Sequence, residues 1–259
     1  MSRVQAVILC GGLGTRLAEE TDVRPKPMVE IGGRPILWHI MRHYARHDVS
    51  EFVLCLGYKG DVIRRWIIDY PSMNADVRVH IGSQKVEPLE PLRDESRWTV
   101  TLAETGELTP TGGRLLRARR YVEKETFLCT YGDGLSNVDL TALIRFHKEH
   151  GKLATVTGVR PFTRFGELHV KDGTALGFRE KPQLEEGWVN GGFFVFEPAI
   201  FEYLADDATL EREPLERLAA DRQLAVYQHS GYWAAMDTYR EAQQLNEEWR
   251  SGRPGWLED

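Results

Sequence analysis

The sequence predicts an α/β fold: a Rossmann-like, mixed and mostly parallel sheet with helices on both faces. Short runs that are apolar throughout recur at Val4–Cys10, Glu51–Gly57, Thr126–Asp133 and Leu153–Arg160. Helical patterns separate them, and the first run ends in a glycine-rich loop. Strands without polar alternation are buried on both faces, and intervening helices supply the crossovers that parallel pairing needs.

Taken in order, Val4–Cys10 is a buried strand and Pro35–His47 an amphipathic helix. Glu51–Gly57, helix Asp61–Tyr70 and a third strand, Val77–Ile81, follow. Strand Thr126–Asp133 runs into a loop, then helix Leu140–His150 and strand Leu153–Arg160. Beyond residue 160, Gly166–Val170 and Ala175–Arg179 flank Lys171-Asp172-Gly173, where Asp-Gly marks a hairpin. Val189–Phe196 reads as a long aromatic strand, 198–205 and 211–221 as helical, and Leu224–His229 as a strand. Asp237 opens a final helix. No linker composition divides the chain, so one domain spans 1–259 and its second half is expected to extend the same sheet.

The 259 residues are 42% hydrophobic and 28% charged, enough for a sizeable core. A net charge of -6 argues against a nucleic-acid binder. The three cysteines, Cys10, Cys55 and Cys129, sit in apolar runs and read as reduced core thiols. The N-terminal apolar stretch is too short for a signal sequence or a membrane span, so a cytoplasmic protein without membrane association is expected.

The strongest local signal is Leu9-Cys10-Gly11-Gly12-Leu13-Gly14-Thr15-Arg16. Three glycines in four positions let the backbone approach a ligand and aim N–H groups at anionic oxygens. Thr15 adds a hydroxyl, and Arg16 a planar fork suited to phosphate. The Gly-Lys-Ser/Thr of a Walker loop is absent, and Leu17 stands where a dinucleotide fingerprint needs its third glycine. About ten residues on, Arg24-Pro25-Lys26-Pro27 restrains a lysine between two prolines.

G-G-L-G-T-R followed by R-P-K-P-M-V-E-I-G-G-R-P-I-L-W-H-I-M resembles the opening of the sugar-nucleotide pyrophosphorylases. Within them it is most similar to the branch that transfers cytidylyl groups to glucose 1-phosphate. T-G-G-R at 111–114, Y-G-D-G at 131–134, E-K-P at 180–182, N-G-G-F-F-V at 190–195 and M-D-T at 236–238 continue the match in family order. The resemblance implies CTP and a sugar 1-phosphate as substrates, a Mg²⁺ cofactor, a nucleotide-binding half near 1–135 and a sugar-phosphate-binding half near 136–259. A homo-oligomer, and supply of CDP-sugars for bacterial surface polysaccharides such as O-antigen, are implied too.

Residue by residue, the resemblance makes Arg16, Lys26 and Asp133 catalytic and Asp133 and Asp237 the magnesium carboxylates. Leu9, Gly11, Gly12, Gly14, Thr15, Arg16, Gly112, Gly113 and Arg114 are its nucleotide contacts. Lys26, Glu180, Lys181, Asn190 and Gly191 line its sugar-phosphate pocket. By residue chemistry alone, Asp237 reads as a helix N-cap and Arg117, Arg119 and Arg120 as a solvated basic face of a helix from Arg114 to Val122. Trp188, Tyr232 and Trp233 read as pocket walls or core. His39, His43 and His47 share a helical face, with an exposed surface favoured over a metal site. The segment 83–97 departs most from the family pattern and is a candidate contact arm. Two rivals stay open: the same chemistry on UTP, dTTP, GTP or another phosphorylated substrate, and a non-catalytic nucleotide-sensing relative.

Overall fold

The computed structural model describes residues 4–89, 94–161, 167–171, 173–179 and 187–257. Its strands are β1 (Gln5–Leu9), β2 (Glu30–Ile31), β3 (Arg34–Pro35), β4 (Glu51–Leu56), β5 (Val77–His80), β6 (Lys85–Pro88), β7 (Thr99–Glu104) and β8 (Phe127–Tyr131). β9 (Gly134–Ser136), β10 (Ala154–Val159), β11 (Glu167–Lys171), β12 (Thr174–Arg179), β13 (Val189–Phe196), β14 (Leu224–His229) and β15 (Trp233–Ala235) complete them.

Seven strands form the central sheet in the order β14-β10-β13-β8-β1-β4-β7. Pairs β1/β4, β1/β8, β4/β7 and β10/β14 are parallel, whereas β13 runs antiparallel to both its neighbours. This is the mixed, mostly parallel sheet expected. Its order reverses between β1 and β8: the chain builds outward from β1 through β4 to β7, then returns to pair β8 on the other side of β1. In open α/β sheets such a switch point leaves a crevice at the carboxyl ends of the strands.

Alternation along β1 sends Ala6 and Ile8 to one core and Val7 and Leu9 to the other. The first core is covered by α2 (Ile36–Arg46), α3 (Gly60–Met73), α5 (Leu140–His150) and α7 (Tyr239–Arg250). The short helix α1 (Ala18–Thr21) precedes them. The second core is covered by α4 (Thr111–Ala118), α6 (Glu213–Ala220) and the 3₁₀ turn Pro198–Tyr203. Phe127 stacks on Phe201 there, ring centroids 5.6 Å apart. Each such fully buried side chain contributes roughly 1.5–3 kcal/mol. All three cysteines are buried and unbridged, and burial pushes the Cys55 thiol up to about 12.

Several sequence expectations need correction. Val77–His80 is no part of the central sheet; it pairs with β6 in a hairpin of its own. The sheet edge is instead Thr99–Glu104, where Val100 and Leu102 pack on one core, Ala103 is buried in the other, and polar residues alternate between them. β11 and β12 form the anticipated hairpin, with Gly173 at φ 77°, but as a separate ladder rather than an extension of the sheet. α4 starts at Thr111 and tightens into a 3₁₀ turn at Arg119–Tyr121, so its two glycines lie inside the first turn.

His39 and His43 are buried, at 2% and 7% exposure, instead of lying on an exposed face. His39 Nε2 donates to the Ile31 carbonyl at 2.8 Å, and its ring meets Trp249 edge-on. Burial lowers His39 to about 4 and His43 to about 3. Both are therefore neutral in the fold at a pH where the unfolded chain, near 6.5, begins to protonate. Below about pH 6.5 the unfolded state binds more protons, so stability falls with pH until the folded values are reached. Each histidine should cost about 2 kcal/mol between pH 7 and pH 5. Urea unfolding at the two pH values checks this, and His43→Gln should flatten the dependence.

Candidate active site

Parallel pairing sets the carboxyl ends of β1, β4 and β8 side by side. Leu9 is in register with both Cys55 and Tyr131, and the Gly132 N–H donates to the Leu9 carbonyl at 3.1 Å. The glycine loop after β1 and Asp133 after β8 therefore open into one space, a cavity of about 330 Å³. Leu9, Gly11, Gly12, Gly14, Thr15, Lys26, Arg114, Asp133 and Asp237 all line it.

Asp237 reaches Asp133 by backbone pairing. β15 runs antiparallel to β9, Ala235 opposite Gly134, and the Met236 N–H donates to the Asp133 carbonyl at 2.9 Å. Asp237 is not the helix cap. Thr238 caps α7 in a capping box with Glu241, leaving the Asp237 carboxylate for the cavity.

Lys26 completes the centre. Its strap, a 3₁₀ turn over Lys26–Met28, presses Pro27 against Gly132, where a Cβ would fall 2.8 Å from the proline Cγ. The Lys26 ammonium donates to Asp133 Oδ2 and to Asp237 Oδ1, each at 2.6 Å. The two carboxylate oxygens are thus no farther apart than twice that distance. Burial alone would lower the lysine's pKa, but the adjoining carboxylates outweigh it and the net shift is upward, so the ammonium stays charged. With two of its three N–H donors used here, one remains.

Arg114 lies beneath the loop, 3% exposed. Its guanidinium donates to the carbonyls of Leu56 (3.1 Å), Gly106 (2.7 Å), Gly11 (2.8 Å) and Glu107 (3.0 Å), and to Thr105 Oγ1 (3.0 Å). A Cβ at Gly11 or Gly57 would lie 2.0 or 2.3 Å from it. These glycines make room for the arginine. The trans peptide between Gly11 and Gly12 turns its carbonyl toward Arg114, so the Gly12 N–H points the opposite way, off the clamp.

Gly112 and Gly113 face elsewhere: added Cβ atoms would meet the Ala208 and Asp206 carbonyls at 2.7 and 2.0 Å. They serve helix-to-loop packing, and neither lines the cavity. Arg16 lies in the 3₁₀ turn Thr15–Leu17 that follows the loop; its side chain is outside the described set. Asn190 is exposed on β13, and its Nδ2 donates to Tyr131 Oη at 3.1 Å. Gly191 is buried, and its carbonyl accepts from Trp233 Nε1 at 2.8 Å. Trp188 carries the Arg160 guanidinium over its ring, and Tyr232 packs on Trp256. Glu180 and Lys181 lie outside the described residues. Tyr131 and Thr111 also line the cavity, although neither has a role read from sequence; Pro27, the proline after Lys26, lines it too.

A model of the nucleotidyl transferase family matches residues 5–244. The chain belongs to the nucleotidyl transferase family. It is 47% identical over 255 residues to the glucose-1-phosphate cytidylyltransferase of Salmonella typhimurium, covering 98% of each. Among solved structures, a UDP-glucose pyrophosphorylase complexed with UDP-glucose superposes with a TM-score of 0.69 at 13% identity, over 97% of this chain and 100% of that one. HddC from Yersinia pseudotuberculosis complexed with GMP-PN gives 0.67 at 24%, over 95% and 99%. The two superpositions establish a shared nucleotidyl transferase fold.

Arg114→Lys supplies at most three donors where five N–H···O contacts stand, leaving buried carbonyls unmet. It should lower unfolding stability by about 2–4 kcal/mol and weaken nucleotide binding together. Urea unfolding paired with calorimetric nucleotide titration checks both.

Proposed function

We propose that this nucleotidyl transferase moves a cytidylyl group from CTP to α-D-glucose 1-phosphate, giving CDP-glucose and pyrophosphate. The observation that carries it is a lysine ammonium held between two carboxylates at the mouth of a backbone-lined anion cradle. Near-full-length identity to a glucose-1-phosphate cytidylyltransferase supports the substrate pair.

In the reaction a sugar-phosphate oxygen bonds to the α-phosphorus of CTP while the bond to the β-phosphate oxygen breaks, and pyrophosphate leaves with the electron pair. A phosphate monoester is largely a dianion above about pH 6, so its oxygen needs no base to deprotonate it. None of the described cavity-lining residues is a histidine, in keeping with that chemistry. The task left to the protein is positioning and charge stabilisation. Loop N–H groups and Arg16 would hold the β- and γ-phosphates, and the remaining Lys26 N–H would face the transferring group.

Asp133 and Asp237 suit Mg²⁺ as an all-oxygen donor pair already converging on one cation, the lysine ammonium. No group of three or more histidine, cysteine or acidic side chains placed to hold a metal ion occurs among the described residues. Two carboxylates leave the remaining positions to phosphate and water, as this ion prefers. When bound, the ion would neutralise α-phosphate charge and align the reactants.

Pyrophosphate release from CTP, glucose 1-phosphate and Mg²⁺, compared with UTP, dTTP and GTP, tests the assignment; no release from any pair overturns it. Lys26→Ala, Asp133→Ala and Asp237→Ala should each lower kcat/KM by about 10²–10⁴. A purely nucleotide-sensing protein would instead bind CTP without turnover.

We also infer a homo-oligomer. The β5–β6 hairpin and neighbouring α3 leave Met73, Val79, Ile81 and Leu89 exposed, Ile81 at 83%. A second copy of this chain meeting the hairpin edge, which pairs with no further strand among the described residues, would cover them. Light scattering should give a multiple of 29.6 kDa, and Ile81→Asp with Leu89→Asp should shift it toward the monomer.

A further inference from the structure

Glu211 belongs to no recognised motif and does not line the cavity, yet its carboxylate gathers the polar side chains of the rim. Tyr131 Oη donates to Glu211 Oε1, and Thr111 Oγ1 donates to Glu211 Oε2 at 2.7 Å. Asn190 Nδ2 in turn donates to Tyr131 Oη at 3.1 Å, while Asn190 Oδ1 accepts the Gly192 N–H at 2.9 Å. The chain Thr111–Glu211–Tyr131–Asn190 therefore runs from the nucleotide wall to the strand that carries the sugar-phosphate motif.

We propose that Glu211 is a positioning residue that fixes how Asn190 meets the sugar 1-phosphate, an inference that rests on the functional reading above. The direction of every bond follows from the carboxylate. An ionised carboxylate only accepts, so Tyr131 must donate to it. The tyrosine oxygen then offers lone pairs to its other neighbour, so Asn190 must present its NH₂ side. One amide N–H is used on Tyr131, which leaves the second as a donor for a hydroxyl or phosphate oxygen. Burial and the nearby carboxylate both raise the Tyr131 pKa, so it remains a donor at working pH.

The rest of the rim is built to hold this arrangement. Gly192, at φ 84°, has no Cβ where one would fall 2.4 Å from the Tyr131 ring, so the ring lies flush against β13. The loop bearing Glu211 is pinned by Leu210, which is fully buried and whose N–H donates to Thr111 Oγ1 at 2.9 Å. The Gly113 N–H donates to the Ala208 carbonyl at 3.1 Å. Gly112 and Gly113 thus admit the loop that delivers Glu211.

The test measures KM for each substrate separately in E211A, Y131F and E211Q, with calorimetric binding of glucose 1-phosphate in the presence of CTP and EDTA. E211A and Y131F should raise the KM and Kd for glucose 1-phosphate about tenfold, the size of one lost hydrogen bond, with the CTP KM within about twofold. E211Q keeps a carbonyl acceptor for Tyr131 and should recover most of the loss. Unchanged glucose 1-phosphate values in E211A, or both KM values rising together with a lowered thermal midpoint, overturn the positioning role. If no nucleotide supports turnover, the functional reading fails by itself and the calorimetric comparison still decides this one: weakened binding in E211A upholds it, and equal or absent binding in the unaltered protein overturns it.

Discussion

A lysine ammonium shared by two carboxylates is the constraint around which the cavity is organised. Left unpaired, two acidic groups converging in a half-buried cleft would repel, and a buried lysine would lose its proton. Together they are mutually tolerable. Their closeness is also a store of binding potential, because phosphate oxygens can draw on the ammonium and a divalent cation on the carboxylates. The fold spends considerable backbone on it: the β9–β15 ladder exists to bring Asp237 beside Asp133, and Gly132 exists to admit Pro27.

A second buried cation serves the cradle differently. Arg114 has carbonyl and hydroxyl partners among the described residues, so its charge is met by dipoles rather than by a carboxylate. A full anionic partner would cancel its field. Dipoles disperse it, leaving positive potential beneath a loop whose outer face is proposed to receive a triphosphate. Desolvating a guanidinium costs several kcal/mol, which five oxygen contacts can offset only if the geometry is held by tight packing. Gly11 and Gly57 provide that packing.

The central strands were legible because burial on both faces leaves a continuous apolar run, as in Gln5–Leu9 and Phe127–Tyr131. Thr99–Glu104 was not, since an edge strand alternates polar and apolar residues and resembles the detached Val77–His80. Histidines 39 and 43 misled for a related reason: helical periodicity reveals a shared face but not which side meets the core. At the site, Asp133, Asp237 and Lys26 stood out through glycine and proline neighbours and family order. Glu211 carried no such mark, because its role depends on where a loop lands 80 residues beyond Tyr131 in the chain.

That difference has a physical basis. Groups bound to the ends of central strands inherit their positions from the ladder, and local sequence suffices to announce them. Groups that orient others act through side-chain hydrogen bonds whose partners are distant in the chain, and only their geometry reveals them. The T-G-G-R stretch shows both at once. Its arginine supports the glycine loop through the carbonyl of Gly11, while its glycines accept the backbone at 206–208. One short motif therefore touches both the glycine loop and the loop bearing Glu211. In the proposed reading, nucleotide contact and sugar contact are consequently not independent; they share a helix.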